Sequence, residues 1–87
     1  MMMGQWERLP LSSLRFAVAN RIYEKSYLFW GIKGMVVEID KGVYWLVIFQ
    51  RGEITYAELT ACSREDAILV LNSELEAKYI SLKEGLK

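Results

Sequence analysis

Val43-Tyr44-Trp45-Leu46-Val47-Ile48-Phe49-Gln50 contains the longest apolar run of the chain and lies between two turn signals, Asp40-Lys41-Gly42 before it and Arg51-Gly52 after it. Its β-branched and aromatic residues favour a pleated strand, and apolar side chains at both odd and even positions predict a central strand covered on both faces. The two Gly turns join it to a strand over Met35 to Ile39 and another over Glu53 to Thr60, giving an antiparallel meander. With a three-residue and a two-residue loop, Val37 falls opposite Trp45 and Val47 opposite Tyr56. One face then carries Met35, Val37, Ile39, Val43, Trp45, Val47, Phe49, Ile54 and Tyr56, with Glu58 at its end. The other carries Val36, Glu38, Tyr44, Leu46, Ile48, Thr55, Ala57 and Leu59.

Outward from the meander, Pro10 suits the first turn of a helix, with Ser12 and Ser13 as candidate caps. Leu11, Leu14, Val18 and Ile22 form one stripe of a helix that runs to about Ser26. The segment Tyr27 to Gly34 mixes aromatics with two glycines and reads equally as a connection, a bulged strand start or a helical turn. After the meander, Ser63-Arg64-Glu65-Asp66 resembles a capping box opening a second helix. Ile68, Leu71, Leu75, Tyr79, Leu82 and Leu86 keep its spacing, with a short fourth strand over 78–83 as the alternative ending. The expected fold is α+β, in the order αβββα: an N-terminal helix, a three-stranded antiparallel meander and a C-terminal helix. The whole chain, 1–87, is expected to be a single domain, with residues 1–9 an N-terminal tail without order of its own.

The 87 residues suffice for one domain, and 53% apolar residues provide for its core. Eleven basic and eleven acidic side chains give zero formal charge, so no global basic field attracts duplex nucleic acid, and self-repulsion does not oppose association. A single cysteine and no secretory pattern imply a reducing, cytoplasmic setting. No apolar run reaches the roughly 18–20 residues of a membrane span, so no membrane partner is expected.

The chain has no histidine, which removes the commonest general base and metal ligand, and no phosphate or dinucleotide fingerprint is present. An enzyme, a metal and a cofactor are therefore not expected. Cys62, just before the helix cap, could be activated by the helix N-terminus, but a lone cysteine at a strand-to-helix corner reads better as a buried filler. Glu65, Asp66, Glu74, Glu76 and Glu84 point to different sides of a helix and read as solvated. Tyr27, Phe29, Trp30, Tyr44, Trp45, Phe49 and Tyr56 cluster in the middle of the chain near Lys33, Lys41 and Arg51, a combination that base-stacking sheets use.

Gly42 to Leu75, two strands joined by a Gly turn and then a capped helix, resembles the three-stranded sheet plus helix of integrase arm-binding domains. Through Ser63-Arg64-Glu65-Asp66-Ala67 the passage is also similar to HicB-type antitoxins and to the archaeal ribosomal protein LX. Three unrelated families fit equally, so none is assigned. The arm-binding resemblance implies basic residues on the sheet face, where this chain has Thr55, Ala57 and Leu59.

Two helices can cover about one face of a three-stranded sheet, because a helix spans about 8–10 Å and strands repeat at about 4.8 Å. The face with Val36, Tyr44, Leu46, Ile48 and Leu59 is thus the expected contact with another protein or a second copy of the chain. The functional expectation is a small non-catalytic interaction protein: an accessory subunit, an adaptor or a phage-type inhibitor, acting as a homo-oligomer or in a hetero-complex. The alternative is a nucleic-acid-associated module using Lys33, Lys41 and Arg51.

Overall fold

The computed structural model describes residues 1–85, so Leu86 of the expected helical stripe lies outside the described residues. The elements are β1 (Met2–Met3), β2 (Glu7–Arg8), α1 (Leu11–Ala19), β3 (Arg21–Tyr27), a 3-10 turn (Leu28–Trp30), β4 (Ile32–Asp40), β5 (Val43–Gln50), β6 (Glu53–Thr60) and α2 (Arg64–Glu84). The strands form one six-stranded antiparallel sheet in the order β1-β6-β5-β4-β3, with β2 beside β1 on the same edge of β6. The expected αβββα arrangement with a three-stranded meander is therefore incorrect, because the sheet gains a strand on one side and two short strands on the other.

The added strands have local causes. Helix α1 stops at Ala19, well short of Ser26, because Asn20 leaves helical geometry and its side-chain amide donates to the Phe16 carbonyl at 2.8 Å. The Glu38 amide then donates to the Asn20 carbonyl at 3.1 Å and draws the chain onto β4. Ile22, placed by its spacing on the helical stripe, instead sits at a bulge between β3 and β4. Pro10 itself occupies the cap position of α1, and neither Ser12 nor Ser13 makes a side-chain cap bond. The expected tail is ordered as well: Gly4 donates to the Glu58 carbonyl and Leu9 to the Ile54 carbonyl, both at 2.8 Å. Met3 faces Leu59 and Glu7 faces Tyr56, so the N-terminal edge carries one extra residue, a bulge that lets it follow the twist of β6.

The meander has the expected register, with Val37 opposite Trp45 and Val47 opposite Tyr56. A two-residue turn at Arg51-Gly52, with both residues at positive φ, closes β5 to β6 in the manner of a type I′ hairpin. The other turn differs from expectation: β4 extends through Asp40, and a shift between Glu38 and Asp40 accommodates Gly42 at φ 75°. The Ser63 hydroxyl accepts from the Asp66 amide at 3.1 Å, and α2 runs unbroken to Glu84, which excludes a fourth strand over 78–83.

Two cores share the sheet. Under α2 lie Ile32, Val36, Tyr44, Leu46, Ile48 and Leu59 with Cys62, Ala67, Leu71 and Leu75, flanked by Trp6, Tyr23, Tyr27 and Trp30 from the edges. On the opposite face Leu9, Ala17, Met35, Val37 and Val47 form a smaller core under α1. The helix α2 comes close because Gly34 has no side chain: a Cβ there would stand 2.8 Å from a Leu75 methyl and 2.9 Å from a Leu71 methyl. This geometry overturns the expected interface. Val36, Tyr44, Leu46, Ile48 and Leu59 are buried, because α2 covers their face while the edge strands add aromatic side chains beside it.

Candidate functional site

Helix α1 has nine residues, which gives about 14 Å of cover at 1.5 Å per residue, whereas β5 beneath it is about 27 Å long at 3.4 Å per residue. The face beyond its reach stays partly open. Ile39, Trp45, Phe49, Ile54 and Tyr56 are half-buried there, packed against the smaller core from its margin. Phe16 leans from α1 onto Trp45 with ring centroids 5.8 Å apart and planes at 66°, and Trp45 lies 5.0 Å from Tyr56. Such edge-on and tilted pairs fix ring positions. Phe16 keeps 45% of its surface exposed and Leu11, one and a half turns earlier, keeps 78%. The indole of Trp45 donates to Glu58 at 3.3 Å, and Glu58 and Glu7 border a shallow cleft of about 240 Å³ against Trp45 and Tyr56. The patch thus offers aromatic faces rimmed by carboxylate acceptors, a composition suited to another protein's apolar and amide- or ammonium-bearing side chains.

Phe16 is not on the apolar stripe Leu11, Leu14, Val18 and Ile22, so helical spacing does not single it out. In the structure Leu14 and Ala17 pack against the core, while Leu11 and Val18 are exposed. The available signal is a large aromatic residue on the helix itself, off its apolar stripe.

Lys33, Lys41 and Arg51 do not form one site. Lys41 lies in the β4–β5 turn and Arg51 in the β5–β6 turn, at opposite ends of β5. Lys33 is engaged within the fold: its ammonium is 3.1 Å from a Glu24 carboxylate oxygen and 5.7 Å from the Phe49 ring centre. Cys62 is buried, with its thiol 3.2 Å from the Ser63 carbonyl and 3.5 Å from the Met1 sulfur. Burial first, and the Asp66 carboxylate second, push this thiol above its ordinary value, the reverse of the activation that a helix N-terminus would give. Tyr44 is likewise shifted upward, by burial and then by the facing Glu38 carboxylate. Among the described residues, no three His, Cys, Asp or Glu side chains gather as metal ligands would.

No known family model matches the chain, and comparisons with curated proteins and with solved structures likewise find no significant match.

Proposed function

We infer that the chain is a non-catalytic interaction protein that occupies the surface of another protein, or of a second copy of itself, through the face bearing α1. The observation that carries this reading is the aromatic row Phe16, Trp45 and Tyr56, held in fixed ring contacts at the margin of a helix too short to cover it. Interface centres favour large aromatic side chains of this kind, because a rigid ring loses little conformational entropy on binding. The zero formal charge adds no long-range repulsion against a second copy. The roles that fit are an accessory subunit, an adaptor or an inhibitor working in the cytoplasm by steric occupation.

The test uses exposed positions, so that binding and folding separate. Leu11→Glu and Phe16→Glu, singly and together, are expected to abolish co-purification of the partner chain, or the dimer seen by light scattering, with little change in the thermal transition. Leu69→Glu, on the outer side of α2 where the side chain is 64% exposed, should leave association intact. Association retained by the Leu11/Phe16 pair of variants would remove the α1 face from consideration.

A further inference from the structure

We propose that the tip formed by Leu28 and Phe29 inserts into the headgroup layer of an anionic lipid bilayer. These two side chains are the most exposed large apolar groups in the described structure, at 87% and 89%, and they stand side by side on the 3-10 turn between β3 and β4. Folding leaves them in water, and a rigid base holds them there. Behind them Trp30 meets Phe29 edge-on at 5.3 Å and Tyr79 at 5.7 Å, and Tyr79 stacks on Tyr27 at 4.9 Å with planes 11° apart. Gly31, at φ 67°, ends the turn and returns the chain to β4. Tyrosine and tryptophan rings, apolar in body and polar at one end, are the side chains that settle at the level of lipid headgroups.

The charges around the tip decide between a bilayer and a protein pocket. Lys25 on β3 lies 5.5 Å from the Tyr27 ring centre, and Arg51 lines a cleft of about 510 Å³ together with Phe29, Trp30, Ser81, Leu82 and Gly85. Lys78 and Lys83 lie in the last turns of α2, the end that contributes Tyr79 and Leu82 to this region. Of the carboxylates nearby, Glu24 pairs with Lys33 at 3.1 Å and Arg21 at 4.0 Å, and Glu53 with Arg8 at 3.6 Å, while Glu74, Glu76 and Glu84 stand among the lysines of α2. The cations thus come from three separate elements on the side of the molecule that carries the apolar tip. A diffuse plane of negative charge complements that layout, whereas a single partner carboxylate would reach only one of them. The far end of the molecule mixes both signs, with Glu38, Asp40, Glu65 and Asp66 exposed beside Lys41 and Arg64 around the β4–β5 turn and the start of α2. Peripheral insertion needs no spanning segment, so it is compatible with the finding that no helix among the described residues is long and apolar enough to cross a membrane. The expectation of no membrane partner rested on span length alone. Two apolar side chains and a few cations give a weak, reversible, salt-sensitive attachment.

The test is co-sedimentation of the full chain with phosphatidylcholine vesicles, with or without phosphatidylglycerol. The protein should bind the mixed vesicles at low ionic strength and release them at about 1 M salt, where charges beyond about 3 Å are screened. Leu28→Ser with Phe29→Ser should lower the affinity about tenfold or more, since the apolar transfer of two large side chains is lost. Lys25→Glu with Lys83→Glu should do the same by an independent route, and Leu69→Ser should change nothing. Circular dichroism of each variant establishes that it is folded. No binding by the wild-type chain, equal binding to neutral vesicles, or binding undiminished in Leu28→Ser/Phe29→Ser would overturn the proposal; the first of these is also the result if the tip serves a protein pocket instead. The tip packs with the α2 side and Phe16 with the other side of the sheet, so this reading and that of the α1 face fail separately.

Discussion

Among the described residues, two without glycine's freedom adopt left-handed backbone angles: Arg51 and Ala61, both at φ 52°. For Arg51 the cause is the two-residue turn, which demands positive φ at both positions and finds a natural fit only at Gly52. For Ala61 it is the corner that turns β6 into the capped start of α2, where the Cys62 amide donates to the Gly42 carbonyl at 3.2 Å. A left-handed L-residue costs about 1–2 kcal/mol, and glycine returns part of that gain through its greater freedom in the unfolded chain. Ala61→Gly and Arg51→Gly are accordingly expected each to raise stability by about 0.5–1 kcal/mol. Ala77→Gly, in the exposed middle of α2, should lower it by about 1 kcal/mol. Urea midpoints at constant slope measure all three, and a loss of stability on Ala61→Gly would contradict the strain at that corner. At this scale the sequence was readable where chemistry is local: the Ser63 cap and the Gly52 turn follow from residue type alone. The strain at Ala61 was not, because it arises from where two elements must meet.

Close approach between elements depends on one position. Gly34 lies on β4 opposite Ile48, under Leu71 and Leu75 of α2, and a methyl group there would press on three of their terminal carbons at 2.8–2.9 Å. Leucine methyls yield more readily than backbone, but in a packed core their movement displaces neighbours, so Gly34→Ala should cost about 1–3 kcal/mol. Leu75→Ala alone should cost about 2–5 kcal/mol through its cavity. The double variant should lose less than the sum, because the new methyl fills part of the space that Leu75 vacates. Strict additivity would mean that the helix does not rest on Gly34. The sequence announced this glycine as ambiguous, within a segment that read as loop, bulge or helix. The same ambiguity hid β3: Ile22 stands four residues after Val18, so a strand position could pass for a helix position, and the polar run Glu24-Lys25-Ser26 looked like a solvated helix face. It is instead the open edge of the sheet. An antiparallel copy of β3 centred on Glu24 or Lys25 sets like charges opposite each other, and one centred on Tyr23 sets Lys25 against Arg21, so the edge resists joining a second copy of itself.

For the whole molecule, the meander, its register and the excess of apolar sheet over helical cover were legible, because alternation and turn residues determine them. Which face is left under-covered was not legible. That depends on α1 ending at Asn20 and on α2 overreaching the strands, at about 31 Å for its 21 residues against about 27 Å for β5. The result is a sheet with unequal sides, a full core under α2 and a thin one under α1. Local stability follows buried apolar contact, so the two sides should open at different free energies. Native-state hydrogen exchange tests this directly. Amides of α1, held by a core of Leu9, Ala17, Met35, Val37 and Val47 and by marginal aromatic contacts, should exchange through local opening that denaturant hardly affects. Amides of β5, paired on both sides and covered by α2 on one face, should exchange only on global unfolding, as should those of α2 around Leu71 and Leu75. Engagement of the α1 face by a partner would then slow exchange in α1 selectively, since binding adds the missing cover. Equal protection of α1 and β5 in the free protein would mean that the short helix already completes its side of the sheet, and the case for a partner on that face would lose its physical basis.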